Sequence, residues 1–235
     1  MASITIIGIS LFTLPFCIIA LHSLGKYLKD KQNPQKKHVF YAFLCISLGF
    51  VSGLIGASIL SLGMSPEKQM IVNTLFRLFD TFNTIGAFCF FVFLTDFIVK
   101  MKKYIPFVVI HLLITLILIL LTPAGVIMLG DEPIIDRSGI RSIAILFFWF
   151  LYWGIVAYQF WKHSRLMTKK SSMRRSQMMS AGAVFAILAY VFTILAEVSQ
   201  DITMKILSYF CATSSGIVFY IGFLAPKWLK RIWEK

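Results

Sequence analysis

Acidic residues are scarce in this chain, with 10 Asp and Glu set against 23 Lys and Arg, and charged residues of all kinds make up 14% of its 235 residues. Soluble domains carry about a quarter. So little charge cannot cover a surface that faces water on every side. With 58% apolar residues and a mean hydropathy of +0.82, the chain reads as an integral membrane protein. Cysteine is sparse as well. Cys17, Cys45, Cys89 and Cys211 fall in four separate apolar stretches without a CxxC spacing, so they indicate neither a disulfide nor a metal site. They read as small packing residues. Of the four histidines, His22, His38 and His163 lie beside basic loops and His111 stands alone inside an apolar run. A bis-histidine haem needs two facing imidazoles. HExxH, GxSxG and Gly-rich phosphate loops do not occur. The chain does not read as an enzyme, and no catalytic centre, metal or cofactor is expected.

What the chain does have is apolar length. A spanning helix needs about 20 mostly apolar residues. Seven segments qualify: Ser3–Leu24, Val39–Met64, Met70–Val99, Ile105–Leu129, Ser142–Trp161, Met178–Val198 and Ile206–Ala225. Backbone polar groups must satisfy one another inside lipid, so the expected fold is an all-α bundle of seven transmembrane helices, filling residues 1–235 as one transmembrane domain. Pro15 and Pro123 are internal to two of these segments and are candidate kinks. Gly49-x-x-x-Gly53-x-x-x-Ala57 puts small residues on one face of the second helix for close packing, either inside the bundle or, less economically, against another copy.

Lys and Arg are distributed unevenly: 18 lie in the loops and tail at one end of the bundle, four at the other, and Arg77 inside a span. Positive loops stay on the cytoplasmic side. The expectation is therefore an outside N-terminus, a cytoplasmic C-terminus and a multi-pass protein of the cell membrane. The net charge of +13 is then mostly topological. It suits anionic lipid headgroups rather than nucleic acid. Trp228, Trp233 and the basic residues after Pro226 read as interfacial anchors.

The third segment carries charge where apolar residues should be. Arg77 sits about 10 Å and Asp80 about 15 Å below its outer end. Asn73, Arg77, Asp80 and Thr84 share a helix face, with Asn83 beside them. An isolated charge at that depth costs at least about 2.5–3.5 kcal/mol, and such residues face the bundle interior or water. The expectation is an Arg77–Asp80 pair at the floor of an outward-facing polar cavity; the plainer reading is a buried pair that fixes helix packing. Trp149 and Trp153 lie near mid-depth in the fifth segment, where each indole N–H needs a partner, which makes them candidates for the cavity wall. Glu197 ends the sixth helix and Asp201 and Lys205 begin the seventh; Glu197 is included in the site, and all three are expected at a solvated rim.

Two family resemblances follow from these residues. Arg77-x-x-Asp80-x-x-x-Thr84 and Asp201-x-x-x-Lys205 resemble the third and seventh helices of microbial rhodopsins, which would imply retinal on Lys205. Depth argues against it, because the 20 residues between Lys205 and Pro226 span about 30 Å and leave Lys205 at the outer surface. The end of the seventh helix, Gly222, Phe223, Pro226, Trp228, Leu229 and Lys230, resembles the close of the seven-transmembrane sensory region of microbial histidine kinases and diguanylate cyclases. That resemblance implies a sensor whose helices pass a signal to a cytoplasmic output. Nine residues after Pro226 hold no such output, so the expected partner is a separate cytoplasmic or membrane signalling protein. The function expected is a stand-alone sensor or receptor-like module for a small or amphiphilic ligand. A small transporter or channel subunit using Arg77 and Asp80 is the alternative, followed by a membrane scaffold.

Overall fold

The computed structural model describes residues 4–63, 65–98, 102–122, 124–129, 132–137 and 139–234. Seven of its helices are long and apolar enough to cross a membrane. They are α1 (Ile4–Lys29), α2 (Pro34–Ser61), α3 (Pro66–Phe97), α4 (Ile105–Leu121), α5 (Gly139–Ser164), α6 (Lys170–Ser199) and α7 (Ile202–Leu224), followed by a short α8 (Lys227–Glu234). Most of the long helices run past the apolar stretch that marks them, because local signals set their ends. Asn33 caps α2 by accepting from Gln35 N and Lys36 N, with Pro34 in the first turn. Ser65 caps α3 in the same way through Lys68 N, and Asp201 caps α7 through Thr203 N. Pro15 lies inside α1, and the helix continues through it. Ser3, Met64 and Val99, three of the expected span ends, and the expected kink at Pro123 fall outside the described residues.

The fourth span corrects the expectation. The helix stops at Leu121, and the apolar run beyond it forms β1 (Ala124–Leu129), which pairs antiparallel with β2 (Glu132–Arg137) in the register Ala124↔Arg137 to Leu129↔Glu132. Gly125 disfavours a helix, and the β-branched Val126 and Ile127 favour a strand. The bundle is helical as expected, and this hairpin is the exception to the all-α reading. β1 lies beside α3, and β2 beside α6 and α1, so the hairpin runs across one end of the bundle.

Helices α1, α2, α3, α5, α6 and α7 form a closed ring in which each packs on the next, while α4 sits outside against α3 and α5. The ring is drawn tight by glycines. A Cβ on Gly49 would lie 2.7 Å from Asn83 Nδ2, one on Gly53 2.7 Å from Phe79 Cδ2, and one on Gly86 2.5 Å from Ile46 Cγ1. The small-residue stripe of α2 is therefore used within the chain, against α3. Large apolar side chains cover the outside, among them Leu14, Phe107, Phe150 and Leu121, the last 78% exposed. In water such a surface would be a standing aggregation site; in a bilayer it meets acyl chains.

At the end opposite the hairpin, α6 holds the end of the chain. Arg175 Nε and Nη2 donate to the carbonyls of Gly222 and Phe223, each at 2.9 Å. These are among the last carbonyls of α7, which have no partner within their own helix. Ser171 Oγ donates to Glu234 of α8 at 2.9 Å, and Lys169 Nζ lies 3.6 Å from the same carboxylate. Arg175→Ala is expected to lower thermal stability by about 1 kcal/mol through the unsatisfied carbonyls and to raise proteolytic cleavage after α7, read by limited trypsinolysis in detergent.

Candidate functional site

The polar residues of α3 go to three different places. Asp80 pairs with Arg141, not with Arg77: Arg141 Nη2 donates to Asp80 Oδ2 at 2.5 Å, with Arg141 0% and Asp80 2% exposed. Arg141 stands in the first turn of α5 and reaches inward onto α3, so this ion pair bolts two ring helices together. Arg77 turns the other way. Its Nη1 and Nη2 donate to the carbonyls of Leu120 and Thr122 at 3.1 and 3.2 Å. Those carbonyls end α4, and a guanidinium is well suited to close a helix C-terminus. Arg77 thus tethers the outlying α4. Asn73 and Arg77 also line an open surface depression of about 360 Å³ with Gln69, Met70 and Thr74. The expected Arg77–Asp80 pair is therefore corrected. The i, i+3 spacing put both residues on one face, but each found a closer partner on a neighbouring helix.

The centre of the ring holds a cavity of about 130 Å³, lined by all six ring helices and by no described residue of α4. Ten of its 24 lining residues are aromatic, Phe12, Phe16, Phe50, Phe79, Tyr209 and Phe219 among them. Thr5, Thr193, Glu197, Lys205 and Ser208 make it polar at the hairpin end. Thr193 Oγ1 and Ser208 Oγ lie 2.7 Å apart, and Ser208 also donates to Ala189 O at 2.8 Å. The position of Lys205 departs from the expected rim: it is 7% exposed and lines the cavity. The reason is the α6–α7 connection, which consists of Gln200 and Asp201 alone. Gln200 adopts φ 51°, ψ 36°, the left-handed conformation that ends a helix abruptly, so the first turn of α7 folds straight back onto α6.

Asn83 is 1% exposed and has its orientation fixed. Its Nδ2 donates to Phe79 O at 2.8 Å, which an oxygen in that place could not do, and the carboxamide rests on Gly49. Oδ1 is left without a protein partner among the described residues. The indole N–H groups of Trp149 and Trp153 are likewise buried without an acceptor among the described residues. Trp149 stacks on Tyr190 with ring centroids 5.2 Å apart, which holds its ring in place on the wall.

Below the cavity, toward the basic loops, the ring is filled by aromatic side chains. Phe43, Phe90 and Phe219 are all 0% exposed and lie 5.7–6.1 Å apart in edge and tilted contacts. Phe223 closes on Phe43 and Phe90 at 4.8 and 5.9 Å, and Trp153 on Phe90 and Phe219 at 5.4 and 5.6 Å.

Of the expected site residues, Asn83, Trp149, Trp153 and Glu197 meet at this cavity; Asn73, Arg77, Asp80 and Thr84 are not on its wall. Thr84 is fully buried beside Asn83, and its hydroxyl has no protein partner among the described residues. Asp80, the would-be retinal counter-ion, pairs with Arg141 and is not among the residues that line the cavity with Lys205. His111 Nδ1 lies 3.0 Å from Tyr152 Oη, a polar contact between α4 and α5 that sequence reading passed over. Among the described residues no group of three or more His, Cys, Asp or Glu has the arrangement to hold a metal ion. Comparison with protein-family models and with curated proteins found no match.

Proposed function

We propose that this chain is a ligand-binding sensor or receptor-like module of the cell membrane, with its N-terminus outside and its C-terminus in the cytoplasm. The observation that carries the reading is the central cavity: an aromatic chamber with polar groups at one end, bounded by six helices and closed at the other end by packed rings. A small amphiphile suits it, its apolar body among Phe12, Phe16 and Phe50 and its polar end near Glu197 and Lys205. The uneven division of 18 and four basic residues between the two ends supports the orientation. Anionic headgroups on the cytoplasmic side would hold the basic loops and α8. Filling the cavity would shift the ring helices, and α6 and α7 would carry that shift to the basic end, where a separate signalling protein reads it. The packed rings disfavour the transporter alternative, which needs a polar path to continue inward. Flux through reconstituted vesicles would reverse that preference.

The test is to purify the protein gently and identify the small molecules extracted from it by mass spectrometry, alongside Ala186→Phe. Ala186 lines the cavity, and a phenyl ring there would fill the space a ligand needs. The expected outcome is an amphiphile that accompanies the wild type, is missing from a folded Ala186→Phe, and raises the wild-type melting temperature when added back. Identical extracts and identical melting behaviour would exclude the reading.

A further inference from the structure

The close packing of α2 on α3 brings two thiols together on the outer flank of the ring. We infer that Cys45 and Cys89 form an oxidisable pair, a modification site at which an apolar hydroperoxide in the acyl region closes a disulfide between the two helices.

Gly53 rests on Phe79, Gly49 on Asn83 and Gly86 on Ile46, so α2 and α3 run antiparallel in one steady register. That register sets Cys45 level with Ala87, two residues before Cys89, an axial offset of about 3 Å. Helices that touch through small residues bring their backbones close, and a disulfide needs Cα atoms within about 7 Å. Helical rotation carries both cysteines to the same flank of the seam, away from Phe43 and Phe90, which fill the ring interior. There the two thiols meet in a side-chain hydrogen bond, and both are free and half-buried. Each lies about two turns or more inside its helix, so a reagent that reaches them must dissolve among acyl chains. Cys17 and Cys211 make the contrast. Gly8 rests on Tyr209 and Gly216 on Phe16, so α1 and α7 run parallel. Cys211 then stands level with Leu11, roughly 9 Å along the axis from Cys17, too far to bridge.

The chemistry runs in two displacements. One sulfur attacks the outer oxygen of the hydroperoxide, the O–O bond breaks, and the alcohol leaves with the thiol proton, which makes that cysteine a sulfenic acid. The second sulfur then attacks the first, the S–S bond forms, and the hydroxyl departs as water with the second proton. Two thiols lose two electrons and the O–O bond takes them up. A sulfenic acid with a thiol beside it condenses to a disulfide instead of oxidising further, and the hydrogen bond between Cys45 and Cys89 places that thiol in reach. The product ties α2 to α3 covalently at one seam of the ring.

The test uses the full chain, reduced, reconstituted in vesicles of saturated phosphatidylcholine and treated with cumene hydroperoxide, which partitions among acyl chains. Remaining thiols are counted after denaturation by maleimide labelling and intact-mass spectrometry. The four labels of the reduced chain should fall to two and return with dithiothreitol, and fragment mapping should join Cys45 to Cys89. Hydrogen peroxide, which stays in water, should react at least about tenfold more slowly. Cys17→Ser with Cys211→Ser should leave the reversible loss intact, and Cys45→Ser or Cys89→Ser should abolish it. Mapping on the wild-type chain decides the pairing if a substituted chain does not fold. Four labels after treatment, a bridge between two chains, or a reversible loss that survives Cys45→Ser overturns the pair. Equal rates with the two peroxides overturn the acyl-side reaction.

Discussion

Asp80→Ala is expected to destabilise the protein by about 3–5 kcal/mol, the cost of taking the carboxylate partner from a guanidinium that stays buried. Arg141 is 0% exposed and cannot swing to solvent without pulling the first turn of α5 off α3. The same change should lower the yield of folded protein, and thermal unfolding in micelles measures it. Removing both charges at once, as Asp80→Leu with Arg141→Met, should recover most of the loss, because similar apolar volume replaces the pair without its desolvation cost. Arg77→Gln is the contrast. Its two bonds end on carbonyls of the outlying α4, and hydrogen bonds in membrane proteins average about 0.6 kcal/mol, so it should cost about 1 kcal/mol. If Arg77→Gln were as damaging as Asp80→Ala, and the double charge removal did not help, the pairing of Asp80 with Arg141 would be wrong.

Gly86→Val should be almost as harmful for a different reason. A Cβ at Gly86 would sit 2.5 Å from Ile46 Cγ1, 3.1 Å from Ala42 O and 3.2 Å from Ile46 N. The last two are backbone atoms of α2, so the side chain cannot be housed by a change of rotamer alone. Forced overpacking of this kind costs about 1–3 kcal/mol, and valine adds two methyl groups to the clash. Ile46→Ala should relieve only the side-chain part. Gly154 provides the control, since nothing lies within 4 Å of a Cβ there. Gly154→Ala should be neutral or stabilising by up to about 1 kcal/mol. Melting temperatures of the three variants, read in one detergent, decide the matter; equal effects at Gly86 and Gly154 would mean that α2 and α3 do not approach as described.

Much of the architecture was legible because a bilayer demands length. Each of the seven apolar runs overlaps a helix, since about 20 apolar residues admit few other solutions. The fourth run was misread beyond Leu121 because hydropathy alone does not separate a helix from a strand, and "AGVIML" satisfies both. The candidate site was legible in part. Trp149 and Trp153 were found through a local requirement, an indole N–H at mid-depth, which holds whatever the neighbours are. Arg77 and Asp80 were joined by their spacing, yet residues three apart are splayed enough to serve different helices, and tertiary contacts decided. Arg141 was hidden among the loop charges because it precedes the apolar run by one residue; its burial depends on α5 beginning at Gly139. Lys205 was hidden for a similar reason: a charge in a first helical turn is commonly wet, and only the abrupt reversal at Gln200 turns it inward.

The grip of Arg175 on Gly222 and Phe223 lies on the same helix as Ala186, Ala189 and Glu197 of the chamber wall. The same helix therefore touches the chamber, the end of α7 and, through Ser171 and Glu234, the short α8. Its basic end is bonded to the close of α7 and to α8, while its other end walls the chamber.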